Sequence, residues 1–232
     1  MISLPSEFKF VDRGFKKTLV LVPGWATDEK IFSKLDLDYN YLFCSRPEPD
    51  NFGKQLLDAL LKYSLLKASI LGLSMGGFLA AEFSIQNPDK INEVFLVGVR
   101  KKYPQDGIRD IEEKIKKNKK AYLYKFYEAC FFGASSSVWQ DFRDDLLDSY
   151  VNDMELEVLL SGLDYLSKVQ LKAERLKDIS VLSFFHSPED KVAPYAEAQA
   201  LYSELPRARF VTLKDSGHIP FFNPEFKDKF NG

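Results

Sequence analysis

The sequence predicts an α/β protein: a mostly parallel sheet flanked by helices, with a helical insertion late in the chain. Three observations carry this expectation. Short apolar runs rich in β-branched residues alternate with stretches of helical length, the pattern of successive βαβ units. One of these runs, Ser69 to Leu73, feeds directly into a glycine-rich turn and then into a helix-like segment, Phe78 to Ile85. From Arg100 to about Lys177 the strand pattern stops, and apolar residues recur at helical spacing instead.

The elements follow in order. Glu7 to Asp12 alternates Phe8 and Phe10 with polar residues and suits a short edge strand. Thr18-Leu19-Val20-Leu21-Val22 reads as a buried strand, ended by Pro23-Gly24-Trp25, and Tyr39 to Ser45 as another, closed near Pro47 and Pro49. Asp50 or Asn51 is the expected cap of the helix carrying Leu56, Leu57, Leu60 and Leu61. After the Ser69–Leu73 strand and its helix, Asn87-Pro88 marks a stop and Val94-Phe95-Leu96-Val97 a further strand. Within the insertion, Ile108, Ile111 and Ile115 share a face, which Leu123, Phe126, Tyr127 and Cys130 continue. A second helix is expected from Trp139 to Tyr150, and a third carries Leu156, Leu159, Leu160, Leu163 and Leu166. Val181 to Phe185 resumes the sheet, a helix spans Pro194 to Leu205, and Arg209 to Leu213 is the last strand. Pro224 opens a short terminal helix, proline being suited to a first helical turn.

At 232 residues, one domain over 1–232 with an insertion at 100–177 is the natural expectation. A net charge of -2 gives no pull towards nucleic acid or a membrane surface. No run approaches the roughly 20 apolar residues of a membrane span, and Met1 to Pro5 lacks the basic start and apolar run of a signal peptide. Cys44 and Cys130 stand far apart in apolar company, fitting neither a disulfide framework nor metal-ligand spacing. A soluble, cytoplasmic monomer without metal or organic cofactor is therefore expected.

The chemistry begins at Gly72-Leu73-Ser74-Met75-Gly76. A serine between a strand and a helix, flanked by glycines, has the layout of a nucleophile elbow. A Cβ at Gly72 or Gly76 clashes where strand and helix approach most closely. The turn lifts Ser74 above the sheet edge and aims the Met75 N–H at a developing oxyanion. A serine nucleophile needs a base, and the base an orienting acid. The chain offers two histidines. His218 follows the last expected strand in Asp215-Ser216-Gly217-His218-Ile219-Pro220, a loop built to present a side chain. His186 ends the preceding strand, ahead of Glu189 and Asp190, and reads as a support for that acid loop. Loops leaving the C-terminal ends of parallel strands converge on one sheet edge, so Ser74, the Asp190 loop and His218 are brought together.

These residues resemble the α/β-hydrolase superfamily. The resemblance rests on Leu73-Ser74-Met75-Gly76-Gly77, the Pro23-Gly24-Trp25 turn, Gly217-His218-Ile219-Pro220-Phe221, and the acid loop from His186 to Pro194. It implies a triad of Ser74, Asp190 and His218, with the register of the loop preferring Asp190 to Glu189, and an oxyanion hole of the Trp25 and Met75 N–H groups. Three departures stand out: Pro23-Gly24 where the superfamily has His-Gly, Ser187 in place of a glycine, and Ser45 to Asp50 in place of a glycine-rich segment. More narrowly, Trp25, Ser161-Gly162-Leu163-Asp164-Tyr165-Leu166 and His218-Ile219-Pro220-Phe221 resemble the pimeloyl-[acyl-carrier protein] methyl ester esterases of biotin synthesis. That resemblance implies a small acyl ester, carried on acyl-carrier protein, as substrate. The rivals are a short-chain esterase or thioesterase, a lyase or synthase on the same fold, and a non-catalytic binding protein.

In this superfamily an insertion between the sixth and seventh strands of the fold is a lid over the site. Of its aromatics, Phe126, Phe131 and Phe132, with Trp25, are the expected lining of an acyl channel. Lys114, Lys116, Lys117, Lys119 and Lys120 form a dense basic run. It reads either as a solvated helix face or as a docking patch for an acidic carrier protein.

Overall fold

The computed structural model describes residues 8–231; Glu7 and the Met1–Pro5 start lie outside the described residues. Among the described residues seven strands form one sheet: β1 Phe8–Val11, β2 Thr18–Val22, β3 Asn40–Cys44, β4 Ala68–Leu73, β5 Ile91–Val97, β6 Leu182–His186 and β7 Arg209–Thr212. Their order is β1-β3-β2-β4-β5-β6-β7, with β1 antiparallel to β3 and every other pair parallel. Parallel neighbours need crossovers, and helices supply them: α1 Phe52–Lys62, α2 Met75–Gln86 and α8 Tyr195–Ser203. Strands covered on both faces read as unbroken apolar runs, and β2, β4 and β6 are accordingly buried along their whole length. The register aligns Val22 with Gly72, Leu73 with Val97, Val97 with Phe185, and His186 with Thr212. The loops that begin at Pro23, Ser74, Gly98 and Ser187, and the one carrying His218, therefore open on the same edge.

Helix α2 lies deepest. Its residues from Met75 to Ala81 are all buried, as are Phe83 and Ser84, so it is apolar nearly all round, like any helix enclosed by other elements. Helix α1 starts after Asn51, as expected, but the Asn51 side chain makes no capping bond to the helix.

The insertion enters after β5 and leaves into β6, one strand earlier than the sixth-to-seventh position implied by the resemblance, because the described sheet has seven strands. It comprises α3 Gln105–Cys130, α4 Ser136–Phe142, a π-helical turn Arg143–Leu147, α5 Asp148–Asp153, α6 Leu156–Lys168 and α7 Ala173–Leu176. The expected Trp139–Tyr150 helix thus runs longer at both ends. Helix α3 breaks at Asn118, whose backbone is extended (φ -157, ψ 89) and whose Oδ1 accepts the Ala121 N–H at 3.1 Å, capping the second half. Tyr127, Phe131, Phe142 and Tyr150 form an aromatic cluster that reaches Phe222 of a short turn, Pro220–Phe222. The chain closes with α9, Glu225–Asn231, directly after Pro224. No helix among the described residues is long and apolar enough to cross a membrane.

Candidate active site

Ser74 sits between β4 and α2 with φ 51 and ψ -113, a backbone conformation that side chains rarely adopt. Its N–H donates to Val97 O at 2.8 Å, tying the turn to the neighbouring strand. A Cβ on Gly72 would stand 2.3 Å from Gly76 O, inside the helix that follows. A Cβ on Gly76 would stand 2.3 Å from Val22 O and 2.5 Å from Pro23 O. The second glycine is thus required by the end of β2, not by its own strand. Met75 opens α2, where first-turn N–H groups have no partner within the helix.

His218 faces Asp190. Its Nδ1 donates to Asp190 Oδ2 at 2.7 Å, and the other carboxylate oxygen accepts the N–H groups of Val192 and Ala193 at 2.8 Å each. Of the two neighbouring acids only Asp190 does this; Glu189 turns back to Ser187 Oγ at 2.6 Å. Two glycines at positive φ seat His218, Gly98 beside its ring and Gly217 beside the backbone that holds it. A Cβ on Gly98 would lie 2.9 Å from His218 Nδ1, and one on Gly217 would lie 2.4 Å from Cys130 O, which accepts the His218 N–H. Burial alone would raise the Asp190 carboxyl. The charge and hydrogen bond of His218, with lesser help from His186 and the Ala193 N–H, outweigh it and hold the group below its ordinary range.

His186 lies beneath this pair, fully enclosed. Its Nε2 is 2.7 Å from Ala193 O, and since a carbonyl only accepts, that nitrogen carries the proton. Nδ1 is buried and has no partner among the described residues. Burial lowers the pKa of His186 from 6.5, against the opposing pull of Asp190. The consequence for stability has a definite sign. Below pH 6.5 the unfolded chain takes up a proton that folded His186 refuses, so this contribution is complete above 6.5 and is lost as pH falls towards the folded value. Urea unfolding is therefore expected to show stability declining from pH 6.5 to pH 5 by up to about 1.4 kcal/mol per pH unit from this group. His186→Gln should flatten that slope. Equal slopes in both proteins would remove His186 as the source.

Ser74 Oγ hydrogen-bonds the Tyr103 hydroxyl at 3.2 Å; among the described residues it makes no bond to His218. Bonds of that kind are often long in unliganded sites and tighten with substrate. Ser74, His218, Met75 and Trp25 are all buried, at 5, 3, 5 and 7 % exposure, so the insertion covers the site.

Trp25 is fastened from above. Its Nε1 donates to Leu159 O on α6 at 2.9 Å, and its ring meets Phe126 edge-on at 4.9 Å. Gly162 permits this approach, since a Cβ there would lie 2.6 Å from the indole and 3.4 Å from Met75 Sδ. Next to Trp25, Tyr127 OH donates to Ala26 O, and Tyr150 OH donates to Asp28 Oδ1 at 2.7 Å. The remaining aromatics separate. Phe131 is enclosed by Trp139, Phe142 and Phe222, whereas Phe132 is 52 % exposed with Lys191 over its ring.

The basic run also divides. Lys114 pairs with Asp110 and Lys116 with Glu112, each one turn away, while Lys119 donates to the carbonyls of Asn152 and Met154 at the end of α5. Lys117 and Lys120 are exposed and form no ion pair among the described residues. No group of three His, Cys, Asp or Glu side chains among the described residues is placed to hold a metal ion. A hollow of about 450 Å³ between Tyr39, Glu93 and Arg209 lies at the N-terminal edge of the strands, away from the edge where ligands enter such sheets.

Comparison with known proteins agrees with this fold. A profile of the family described as alpha/beta hydrolase fold matches residues 44–225. The chain belongs to the α/β hydrolase fold family. It is 21% identical over 228 residues to a pimeloyl-[acyl-carrier protein] methyl ester esterase of Chromobacterium violaceum, covering 89% of each chain. A protein of the same name from Nitrosomonas europaea is 25% identical over 174 residues, covering 70% of this chain and 68% of that one. The solved thermophilic esterase of Thermogutta terrifontis superposes with a TM-score of 0.81 at 16% identity, over 99% of this chain and 93% of that one.

Sequence reasoning on this α/β hydrolase missed Tyr103 as a neighbour of Ser74, and Gly98 as the seat of His218. Both lie just past β5, and the convergence of loops at one sheet edge was the available signal for them.

Proposed function

We propose that the protein is a serine carboxylesterase and that its substrate is the methyl ester of pimeloyl-[acyl-carrier protein]. The observation that carries the esterase reading is the Asp190–His218 hydrogen bond of 2.7 Å beside a serine raised on a strained turn. Ser74 attacks the ester carbonyl while His218 takes its proton through Nε2, Nδ1 being committed to Asp190. Asp190 holds that tautomer and balances the imidazolium charge. The Trp25 and Met75 N–H groups receive the oxyanion, each contributing roughly 3 kcal/mol in comparable sites. The alcohol leaves with the proton from His218, and water releases the acyl group by the same route.

The choice of acyl group is supported by the two relatives with that name and by the Trp25–Gly162 contact, which joins two of the resembling motifs. Rescue of a biotin-requiring strain that lacks its own pimeloyl-ester esterase tests the substrate. Failure to rescue, with nitrophenyl esters still hydrolysed, would leave a general short-chain esterase.

Carrier docking is assigned to the exposed Lys117 and Lys120 on either side of the Asn118 break, the two cations of the run that neither pair with an acid nor bond a carbonyl among the described residues. Reversing both to Glu is expected to lower kcat/KM for the carrier-bound ester roughly tenfold at low salt, by removing long-range attraction, and to spare a small nitrophenyl ester. Equal effects on both substrates would eliminate the docking role.

A further inference from the structure

Tyr103 lies between β5 and α3. Its hydroxyl is 3.2 Å from Ser74 Oγ, and Ser74 is its hydrogen-bond partner among the described residues. The ring is held on two sides: Phe78 at 6.2 Å between centroids, and the Arg100 guanidinium at 5.1 Å from the ring centre. Arg100 is itself fixed by a two-pronged ion pair to Glu197 on α8, with Nε 3.1 Å from Oε2. Burial raises the phenol to about 12, against smaller opposing effects of the Ser74 bond and Arg100. Tyr103 thus keeps its proton at neutral pH. Ser74 has one proton, which the reaction sends to His218, so the arrangement that serves both groups has Tyr103 donating and Ser74 accepting.

We propose that Tyr103 is a further catalytic residue: its phenol donates to Ser74 Oγ and assists the departure of that oxygen when the acyl-enzyme is hydrolysed. The inference rests on Ser74 being the nucleophile. In the first half-reaction the Oγ–C bond forms and the ester C–O bond breaks. The Ser74 proton passes through His218 to the departing alcohol. In the second half a water oxygen bonds the acyl carbon and the C–Oγ bond breaks, the water proton passing through His218 to Oγ. A donor on Oγ withdraws electron density from it. It therefore gives no help to attack, yet stabilises the negative charge that gathers on Oγ as the bond to carbon breaks. The phenol proton stays on Tyr103 throughout. Unequal effects on the two halves are what a packing role does not produce.

Carbamoylation by a nitrophenyl carbamate, followed by recovery of activity, reads the two halves separately. Tyr103→Phe removes only the hydroxyl. Carbamoylation is expected to stay within about twofold of the parent or to rise, while recovery slows roughly tenfold, the scale of one lost hydrogen bond to a charged oxygen. Arg100→Gln, which frees the ring but keeps the hydroxyl, should slow recovery by a smaller factor, and it provides the reading if Tyr103→Phe does not fold. Unchanged recovery, or equal slowing of both steps, overturns the role of Tyr103 and leaves the nucleophile standing. Carbamoylation and turnover that both survive Ser74→Ala would instead sink the assignment of Ser74, and the role of Tyr103 with it.

Discussion

Ser74→Ala is expected to lower kcat on a nitrophenyl ester by roughly 10⁴-fold or more, with the fold intact. Removing a triad nucleophile costs nearly as much as removing the whole triad, because base and acid have nothing left to activate; oxyanion donors and binding account for what remains. The substitution deletes a single oxygen. At position 74 the backbone strain belongs to the turn, and alanine tolerates φ 51 no worse than serine does, since both carry one Cβ. The melting temperature should therefore fall by no more than a few degrees, the cost of leaving the Tyr103 hydroxyl without its partner being about 1–3 kcal/mol. Steady-state kinetics and thermal melting decide the matter together. Retention of a tenth of the parent activity would rule out covalent catalysis at Ser74.

The largest expected effect on stability belongs to Gly76→Ala. The new methyl would meet Val22 O at 2.3 Å and Pro23 O at 2.5 Å, both backbone atoms at the end of a fully buried strand. Neither is able to swing aside, so α2 must retreat from β2 and carry the Ser74 turn with it. A cost of about 3–5 kcal/mol, or a melting temperature lower by roughly 10 °C, is expected together with lost activity. Gly107→Ala is the control. It lies in α3 with nothing within 4 Å of the added atom, and the exchange should stabilise by about 0.5–1 kcal/mol through helix propensity. A Gly76→Ala protein that melts within 2 °C of the parent would show that the loop after β2 yields.

The parts legible in the sequence were those where one physical constraint dominates. Strands buried on both faces need continuous apolar runs, so Thr18–Val22, Ser69–Leu73 and Val94–Val97 announce themselves. The glycines around Ser74 and the loops of Asp190 and His218 are legible for a related reason, since a tight turn or a presented side chain admits few residue types. What escaped depends on distant partners. The break at Asn118 hides in an exposed helical stretch where asparagine reads as ordinary surface. The lysine run looks uniform until Asp110 and Glu112 claim two members and the end of α5 a third. Tyr103 reads as one aromatic among many, because only the folded sheet brings the end of β5 beside the end of β4.

The hydrogen bonds that join Leu159, Tyr127 and Tyr150 with Trp25, Ala26 and Asp28 have a consequence for anyone who would exchange parts of this protein. The helical cover and the loop beneath it form one unit of exchange. A cover transplanted from a relative would arrive without the two tyrosine hydroxyls and with its α6 carbonyl differently placed, so residues 25 to 28 would lose the contacts that hold them. Chimaeras that carry residues 23–28 together with 100–177 are therefore the ones expected to keep turnover, and successful diversification of the acyl group should follow the same joint.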